Sequence, residues 1–445
     1  MNKSKVPTRF SSPVAETGQP ESHQLVDHFF RSEYAKLVAI LTRKFGASNW
    51  ELIEDVVQSA LERALGAWPR RGIPDNPSAW LYRTASNLAI DNLRRDARKK
   101  ELDGSNGNSS LDAASVPDSS PTAELEPDES QVQDDLLRMI FVCCHPQVPP
   151  ESQIALALKT LCGFGNMEIA RALLTTEASV AKRIIRAKQR LREIQIEPSE
   201  IPAEAFQERL PDVQAVIYSL FNEGYCSSLA DKLIREELCE EAVRMALILA
   251  EHPLTAGPNS AAMLSLLLFH AARLDARIDS NGAMLVLKEQ DRSQWDQRLM
   301  DTAFFWFRRA QGAERLTRYH AEAWIASEHC RAGNLEATDW DRIVLGYDLL
   351  CRLSPSPIHE LNRAIAIGRR DGAAAGMTAF EKLDAESLSE NYYLWHATRG
   401  ELARQTGDLS KAKASLQQAW KLAPTNTEKE LICRKIDAIE RNVEF

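Results

Sequence analysis

The chain has 445 residues, 44% of them hydrophobic, and a formal net charge of −9. That length and composition suit a globular protein of about three domains, and the acidic total excludes a uniformly basic nucleic-acid binder. There is no apolar run of 18 residues or more, and MNKSKVPTRFSSPVAETGQPESH lacks the apolar core of a secretory leader. A cytoplasmic protein with no membrane association is expected.

Taken along the chain, the charge is unevenly spread. Residues 1–22 are polar and contain Pro and Ser, the composition of a disordered end. Residues 23–98 read as a helical module, and 23–100 carries 13 Lys+Arg against 9 Asp+Glu. Its first amphipathic stretch stops at Gly46, a residue suited to a helix C-terminus. The second, NWELIEDVVQSALERALGAW, is expected to break at Pro69. After the loop PRRGIPDN, Asn76 suits an N-cap and Pro77 the first turn of PSAWLYRTASNLAIDNLRRDARKK. Residues 99–135 read as a flexible acidic linker, because 101–135 has 10 acids, no Lys or Arg, and too few large apolar residues for a core. A second helical module is expected over 136–196, with 9 basic residues against 4 acidic.

The remainder, 205–445, also reads as helix, and 197–445 is acidic, 38 Asp+Glu against 29 Lys+Arg. Near its end Gly400, Gly407, Ala412, Leu416, Ala419 and Pro424 occupy the small, large and proline positions of a tetratricopeptide repeat. Ala364, Gly376 and Phe380 stand 36 residues before Gly400, Ala412 and Leu416, each keeping its class. The expected fold class is therefore all-α: two small helical domains, a linker between them, and a helical-repeat domain.

The stretch ASVAKRIIRAKQRL, 178–191, carries the first functional signal. On a helix, Val180, Ile184, Ala187 and Leu191 form one stripe, while Ser179, Lys182, Arg183, Arg186 and Arg190 form a basic arc. A charged helix face alone is usually just solvated. Here Ile169, Ala170 and Leu173 give a short helix before it, and a turn at 174–177 joins the two. That is the arrangement of a helix-turn-helix, whose second helix enters a major groove. Ser179, Lys182 and Arg183 would face base edges, with Arg186 and Arg190 nearer phosphate. Leu174 stands where many such turns carry Gly.

On the helix from Pro77, the residues Trp80, Arg83, Asn87, Asp91 and Arg94 share one face, and Leu81, Ala85 and Leu88 another. An aromatic beside amide and basic groups suits unstacked bases on a strand; equally, a helical Trp usually belongs to a core. EDVVQSALERAL (54–65), PSAWLYRTASNLAIDNLRR (77–95) and MEIARALLTTEASVAKRIIRAKQRL (167–191), in that order and with that linker, resemble regions 2 and 4 of the extracytoplasmic-function group of bacterial sigma factors. MIFVCCHPQVPPESQIALALKTLCGF and the tail from RLPDVQAVIYSLFNEGY resemble its subgroup with a C-terminal tetratricopeptide-like extension.

The resemblance implies that core RNA polymerase and promoter DNA are the partners, through the polymerase β′ clamp helices and β flap. Asp55, Gln58, Glu62 and Arg63 match the surface that docks on the clamp helices. Asn87, Asp91, Arg94 and Arg95, with Trp80 and Arg83 on their face, match the segment against the melted −10 strand. The 70–78 loop matches the one that captures a flipped base. Ser179, Lys182, Arg183, Arg186 and Arg190 match the face that reads the −35 element, and the acidic linker matches the connector through the polymerase cleft.

No enzyme, cofactor or metal is expected. The eight cysteines include no CxxC pair and read as reduced core thiols, and His359-Glu360 lacks the second His of a zincin. No phosphate loop or GxSxG elbow occurs. In the tail His270, Arg273, Asp291 and Trp295 read either as a pocket lining or as packing residues. The tail itself reads as a regulatory surface for a further protein, either masking the basic modules or supporting their activity. The competing functional reading is a stand-alone helix-turn-helix regulator with a repeat-domain sensor; it leaves 51–95 without a role.

Overall fold

A computed structural model describes residues 20–102, 128–173, 175–225, 234–279, 283–383 and 392–441. The regular elements among them are helical, apart from one isolated antiparallel bridge between Ile278 and Met284. The described residues divide into two compact units, with the division between 216 and 217.

The first unit is built from α1 (Pro20–Phe45), α2 (Trp50–Arg71), α3 (Pro77–Leu102), α4 (Glu129–Cys143), α5 (Pro150–Leu161), α6 (Asn166–Ala172) and α7 (Glu177–Glu193). Leu37, Val38 and Leu41 of α1 meet Ile53, Val56, Val57 and Ala60 of α2 and Leu81, Ala85 and Ala89 of α3, all buried. These recur at three- and four-residue spacing, so each helix presents one apolar stripe. Burying a Leu or Ile in this way contributes about 1.5–3 kcal/mol, so packing of these stripes rather than helix propensity holds the three helices. Asn76 caps α3 as expected, its Oδ1 accepting from Ala79 N at 3.0 Å.

Two expected boundaries change. Helix α2 does not break at Pro69 but runs on to Arg71 and closes at Gly72, whose φ is +84°. Proline there forfeits one hydrogen bond in the last turn, and exposed Leu65 leaves the orphaned carbonyl to water, so the helical φ of Pro69 prevails. The expected linker 99–135 is also shorter at both ends, since α3 reaches Leu102 and α4 begins at Glu129. Asp128 caps α4 by accepting from Gln131 N, and Val132, Leu136 and Leu137 are buried, an apolar spacing that pulls 129–135 into the helix. The middle of that linker, the N-terminal 19 residues and Leu174 lie outside the described residues.

The groups on either side of the linker pack together, α1 against both α4 and α5. The seam is polar as well as apolar. Lys188 of α7 reaches Glu54 of α2 at 2.6 Å with both side chains largely buried, and Glu54 also accepts from Trp50 Nε1 at 3.1 Å. Around it lie Arg192–Glu51 at 2.9 Å, Arg43–Asp135 at 2.8 Å and Arg31–Glu168 at 2.7 Å. Glu197 accepts from Ala47 N at 3.0 Å, drawing the segment after α7 back to the turn between α1 and α2.

Helix α8 (Ala203–Tyr225) contains the division between units. Its first half belongs to the first unit, where Phe206 packs on Phe141 with ring centroids 4.7 Å apart and Arg209 donates to the Phe141 carbonyl oxygen. The second unit continues through α9 (Glu236–Glu251), α10 (Pro258–Ala271), α11 (Gln297–Arg309), α12 (Arg318–Arg331), α13 (Trp340–Leu353), α14 (Pro357–Asp371), α15 (Ala373–Phe380), α16 (Tyr393–Gln405), α17 (Leu409–Leu422) and α18 (Asn426–Glu440). From α12 on, each helix packs on the next in sequence.

Small residues set the closeness of that packing. A Cβ on Gly376 would come within 2.7 Å of the Gly368 Cα, so α14 and α15 touch backbone to backbone. A Cβ on Gly400 would meet Leu416 Cγ at 2.8 Å, and Ala412, Leu416 and Ala419 are fully buried against α16. Gly407, at φ +88°, turns α16 into α17. Ala364 and Phe380, the corresponding upstream positions, are buried in the preceding cluster with Trp395 and Leu402.

Candidate nucleic-acid interface

Helix α7 owes its orientation to its buried stripe. Val180, Ile184, Ala187 and Leu191 are between 0% and 7% exposed, which turns the opposite arc outward. Thr176 caps its N-terminus, accepting from Ser179 N at 3.2 Å, and α6 precedes it by a short turn. Ala170 and Val180 are both buried where α6 and α7 pack, the contact expected of a helix-turn-helix.

The five residues of the basic arc differ in how available they are. Lys182 and Arg186 are exposed and have no ion pair among the described residues. Arg183 is half-buried and pairs with Glu151 of α5 at 2.6 Å, and Arg190 is held by Glu193 at 3.0 Å and Gln147 at 3.0 Å. Ser179 is half-buried at the first turn. A positive helix N-terminus flanked by free cations attracts phosphate. A carboxylate already paired with a guanidinium must be displaced before that group can do so. Lys182 and Arg186 are thus the readiest members.

On α3, Arg83, Asn87, Asp91, Arg94 and Arg95 are exposed on one side, while Leu81, Ala85 and Ala89 are buried on the other. Arg95 donates to Asn92 Oδ1 at 2.9 Å, and Arg83 Nε to the carbonyl of Ala79 at 3.3 Å. Trp80 is half-buried, edge-on to Trp68 at 5.8 Å, which in turn stacks on Phe30. The aromatic of this face is therefore anchored in a cluster and shows only part of its ring. Asp55, Gln58, Glu62 and Arg63 of α2 are all exposed, and Gln58 donates to Glu62 at 3.1 Å.

Two apolar side chains in this unit escaped the sequence reading. Ile73, 71% exposed, tips the loop between α2 and α3 beside Arg70 and Arg71, and Ile185, 58% exposed, sits next to Lys182 and Arg186. An exposed apolar group bordered by cations suits contact with a base or a thymine methyl. The available signal was an apolar residue off the buried stripe, which counts for little in sequence since single exposed apolar residues are common.

Among the described residues no group of His, Cys, Asp or Glu is disposed to hold a metal ion. No helix among the described residues is long and apolar enough to cross a membrane. Cys143 and Cys144 are buried, and burial pushes the Cys144 thiol up to about 12, whereas Cys433 is exposed and is not the core thiol expected of it. His359 bonds to the carbonyl of Ser354 at 2.7 Å and so serves the α13–α14 turn.

Residues 29–99 match the Sigma-70 region 2 family and residues 138–191 match Sigma-70, region 4. Residues 209–311 match a family of unknown function (DUF6596). A relative from Rhizobium meliloti (strain 1021), described as an uncharacterized protein, is 38% identical over 391 residues, covering 87% of this chain and 90% of its own. No solved structure matches the chain.

Proposed function

The chain belongs to the sigma-70 family of RNA polymerase sigma factors, and we propose that it directs the core enzyme to particular promoters as an extracytoplasmic-function initiation factor. In this reading α7 reads the −35 duplex through Ser179, Lys182, Arg183, Arg186 and Arg190. The α3 face, Trp80, Arg83, Asn87, Asp91, Arg94 and Arg95, holds the melted −10 strand with the loop around Ile73. Asp55, Gln58, Glu62 and Arg63 dock on the β′ clamp helices, and the module 136–196 meets the β flap. We read 23–98 and 136–196 as the two sigma domains, and 205–445 as a tetratricopeptide-like regulatory unit, all working in the cytoplasm. The contacts of Gly376 with Gly368 and of Gly400 with Leu416 support that repeat.

The observation that carries the reading is the pair of exposed cationic faces, on α3 and α7, in one chain. Strand opening needs a basic surface with an aromatic or apolar wedge, while duplex reading needs a helix end in a groove. A stand-alone regulator would use only the second.

Run-off transcription with purified core RNA polymerase tests it, on the DNA upstream of the protein's own gene. The full-length chain is compared with one ending at residue 216. A cut nearer 200 would strip Phe206 and Arg209 from Phe141 and confuse loss of the tail with damage to α4. Specific transcripts that depend on added protein are expected, with a changed yield from the shortened chain. No transcript together with no association with core enzyme would leave the stand-alone regulator as the better account.

A further inference from the structure

Buried polar groups in folded proteins nearly always find a partner, so a cluster of them without one points to something that fills it. Four such atoms gather in the C-terminal unit: His270 Nδ1, Arg273 Nε, Trp295 Nε1 and His329 Nδ1, none with a hydrogen-bond partner among the described residues. They come from the end of α10, the segment after it, the stretch just before α11 and the end of α12. Trp295 is only 4% exposed and lies close to two guanidiniums, Arg273 at 4.9 Å and Arg292 at 5.0 Å from its ring centroid. Arg292 also donates to the carbonyl of His329 at 2.7 Å, which ties His329 to the group.

The charge is as unbalanced as the hydrogen bonding. The partners of Arg273 and Arg292 are neutral: Gln290 Oε1 at 3.2 Å for the first, the carbonyls of His329 and Ala332 and Thr338 Oγ1 for the second. Neither makes an ion pair among the described residues. Glu336 acts on Arg292 only from beyond contact, and Glu322 is already engaged by Arg318 at 2.9 Å and the Tyr218 hydroxyl at 2.6 Å. Burial, then Arg273 and other neighbouring cations, pushes both His270 and His329 down to about 3, so both rings are neutral and each keeps an N–H to donate. Two half-buried guanidiniums without a counter-charge are costly unless an anion completes the site. Asp291 does not: it is exposed and caps its own turn through Ser293 N at 2.9 Å, apart from the three residues read alongside it in the sequence.

We propose that this cluster binds a small oxyanion, a phosphate or carboxylate group, between Arg273 and Arg292, with Trp295 Nε1 and an imidazole N–H as further donors. The oxyanion is either free in solution or carried on an organic molecule. The site stands on the C-terminal unit alone and holds whether or not the chain initiates transcription.

The test is thermal unfolding and calorimetric titration of the full-length chain with inorganic phosphate, acetate and phenyl phosphate against chloride at constant ionic strength. A ligand that binds only the folded state raises Tm in a saturable way. Saturable stabilisation by at least one oxyanion is expected, with affinity reduced tenfold or more in Arg273→Gln and unchanged in Arg308→Gln, an exposed cation elsewhere. Stronger binding of phenyl phosphate than of phosphate would identify an organic carrier, and equal binding the free ion. Should Arg273→Gln fail to fold, Arg273→Lys and phosphorus NMR of phosphate with the unaltered protein give the same answer. A Tm indifferent to every oxyanion, or a rise equal in the Arg273 and Arg308 variants, overturns the proposal and leaves water as the occupant.

Discussion

Cations in the two units serve opposite ends. In the first, Lys182, Arg186 and Arg94 stand in water on helix faces whose other sides are packed. In the second, Arg273 and Arg292 lie close to a buried indole and face neutral acceptors. An exposed cation costs nothing to keep charged and attracts a long polyanion through displaced counterions. A half-buried one is destabilising until its charge is matched, and it suits one small group rather than a strand. The contrast shows that counting Lys and Arg locates potential partners, while solvation decides their size. Helix α7 holds both kinds, since Lys188 is buried against Glu54 only two residues from exposed Arg186.

The sharpest way to break that comparison is to reverse the exposed charges alone. Lys182→Glu with Arg186→Glu is expected to leave the fold intact and to lower promoter-dependent transcription by about a hundredfold or more, given ~1–3 kcal/mol per lost contact. Full transcription from that variant, measured in the run-off assay, would mean that the arc is only a solvated face. Reversing the test, Lys188→Ala removes a cation that no DNA could reach and strands Glu54. Urea unfolding should show a loss of ~3 kcal/mol, much of it regained by Lys188→Met with Glu54→Leu, as for other buried pairs. If Lys188→Ala costs nothing, the seam between α2 and α7 is not held by this pair.

The smallest effect concerns the acidic side. Asp135 is buried beside half-exposed Arg43, and burial outweighs that guanidinium, raising the carboxyl to about 6. Burial prevails because the Arg43 side chain stands partly in water while Asp135 does not. The folded state therefore holds the Asp135 proton more tightly than the unfolded state does. This contribution to stability is complete below the ordinary carboxylate value near 4 and is lost as pH rises through 6. Asp135→Asn should remove that slope, and at pH 8 it should equal or exceed the parent in urea midpoint, by ~1 kcal/mol at most. An unchanged pH profile in the variant would assign the slope to another group.

The helical character of the chain, and the buried faces of α3 and α7, were legible in the sequence because they depend on local periodicity. Val180, Ile184, Ala187 and Leu191 could be placed on one stripe from spacing alone, as could Asn76 at its cap. The exposed partners of α3 and α7 followed as the remainder of each wheel. Their pairing did not. Arg183 with Glu151, Arg190 with Gln147 and Trp80 with Trp68 join residues whose distance along the chain says nothing of contact. Pro69 within α2 and the extension of α4 back to Glu129 turned on what solvates a carbonyl or covers Val132.

Sequence by itself determined that this protein is helical, that its two basic modules resemble sigma regions 2 and 4, and which arc of each helix is cationic. Those properties are sums over neighbouring residues. Tertiary structure alone decided that Lys188 is buried while Lys182 is free. It also decided that His270, Arg273, Arg292, Trp295 and His329 converge although Asp291 points away. Burial and hydrogen-bond satisfaction depend on what the rest of the fold brings alongside, and no window of sequence contains it.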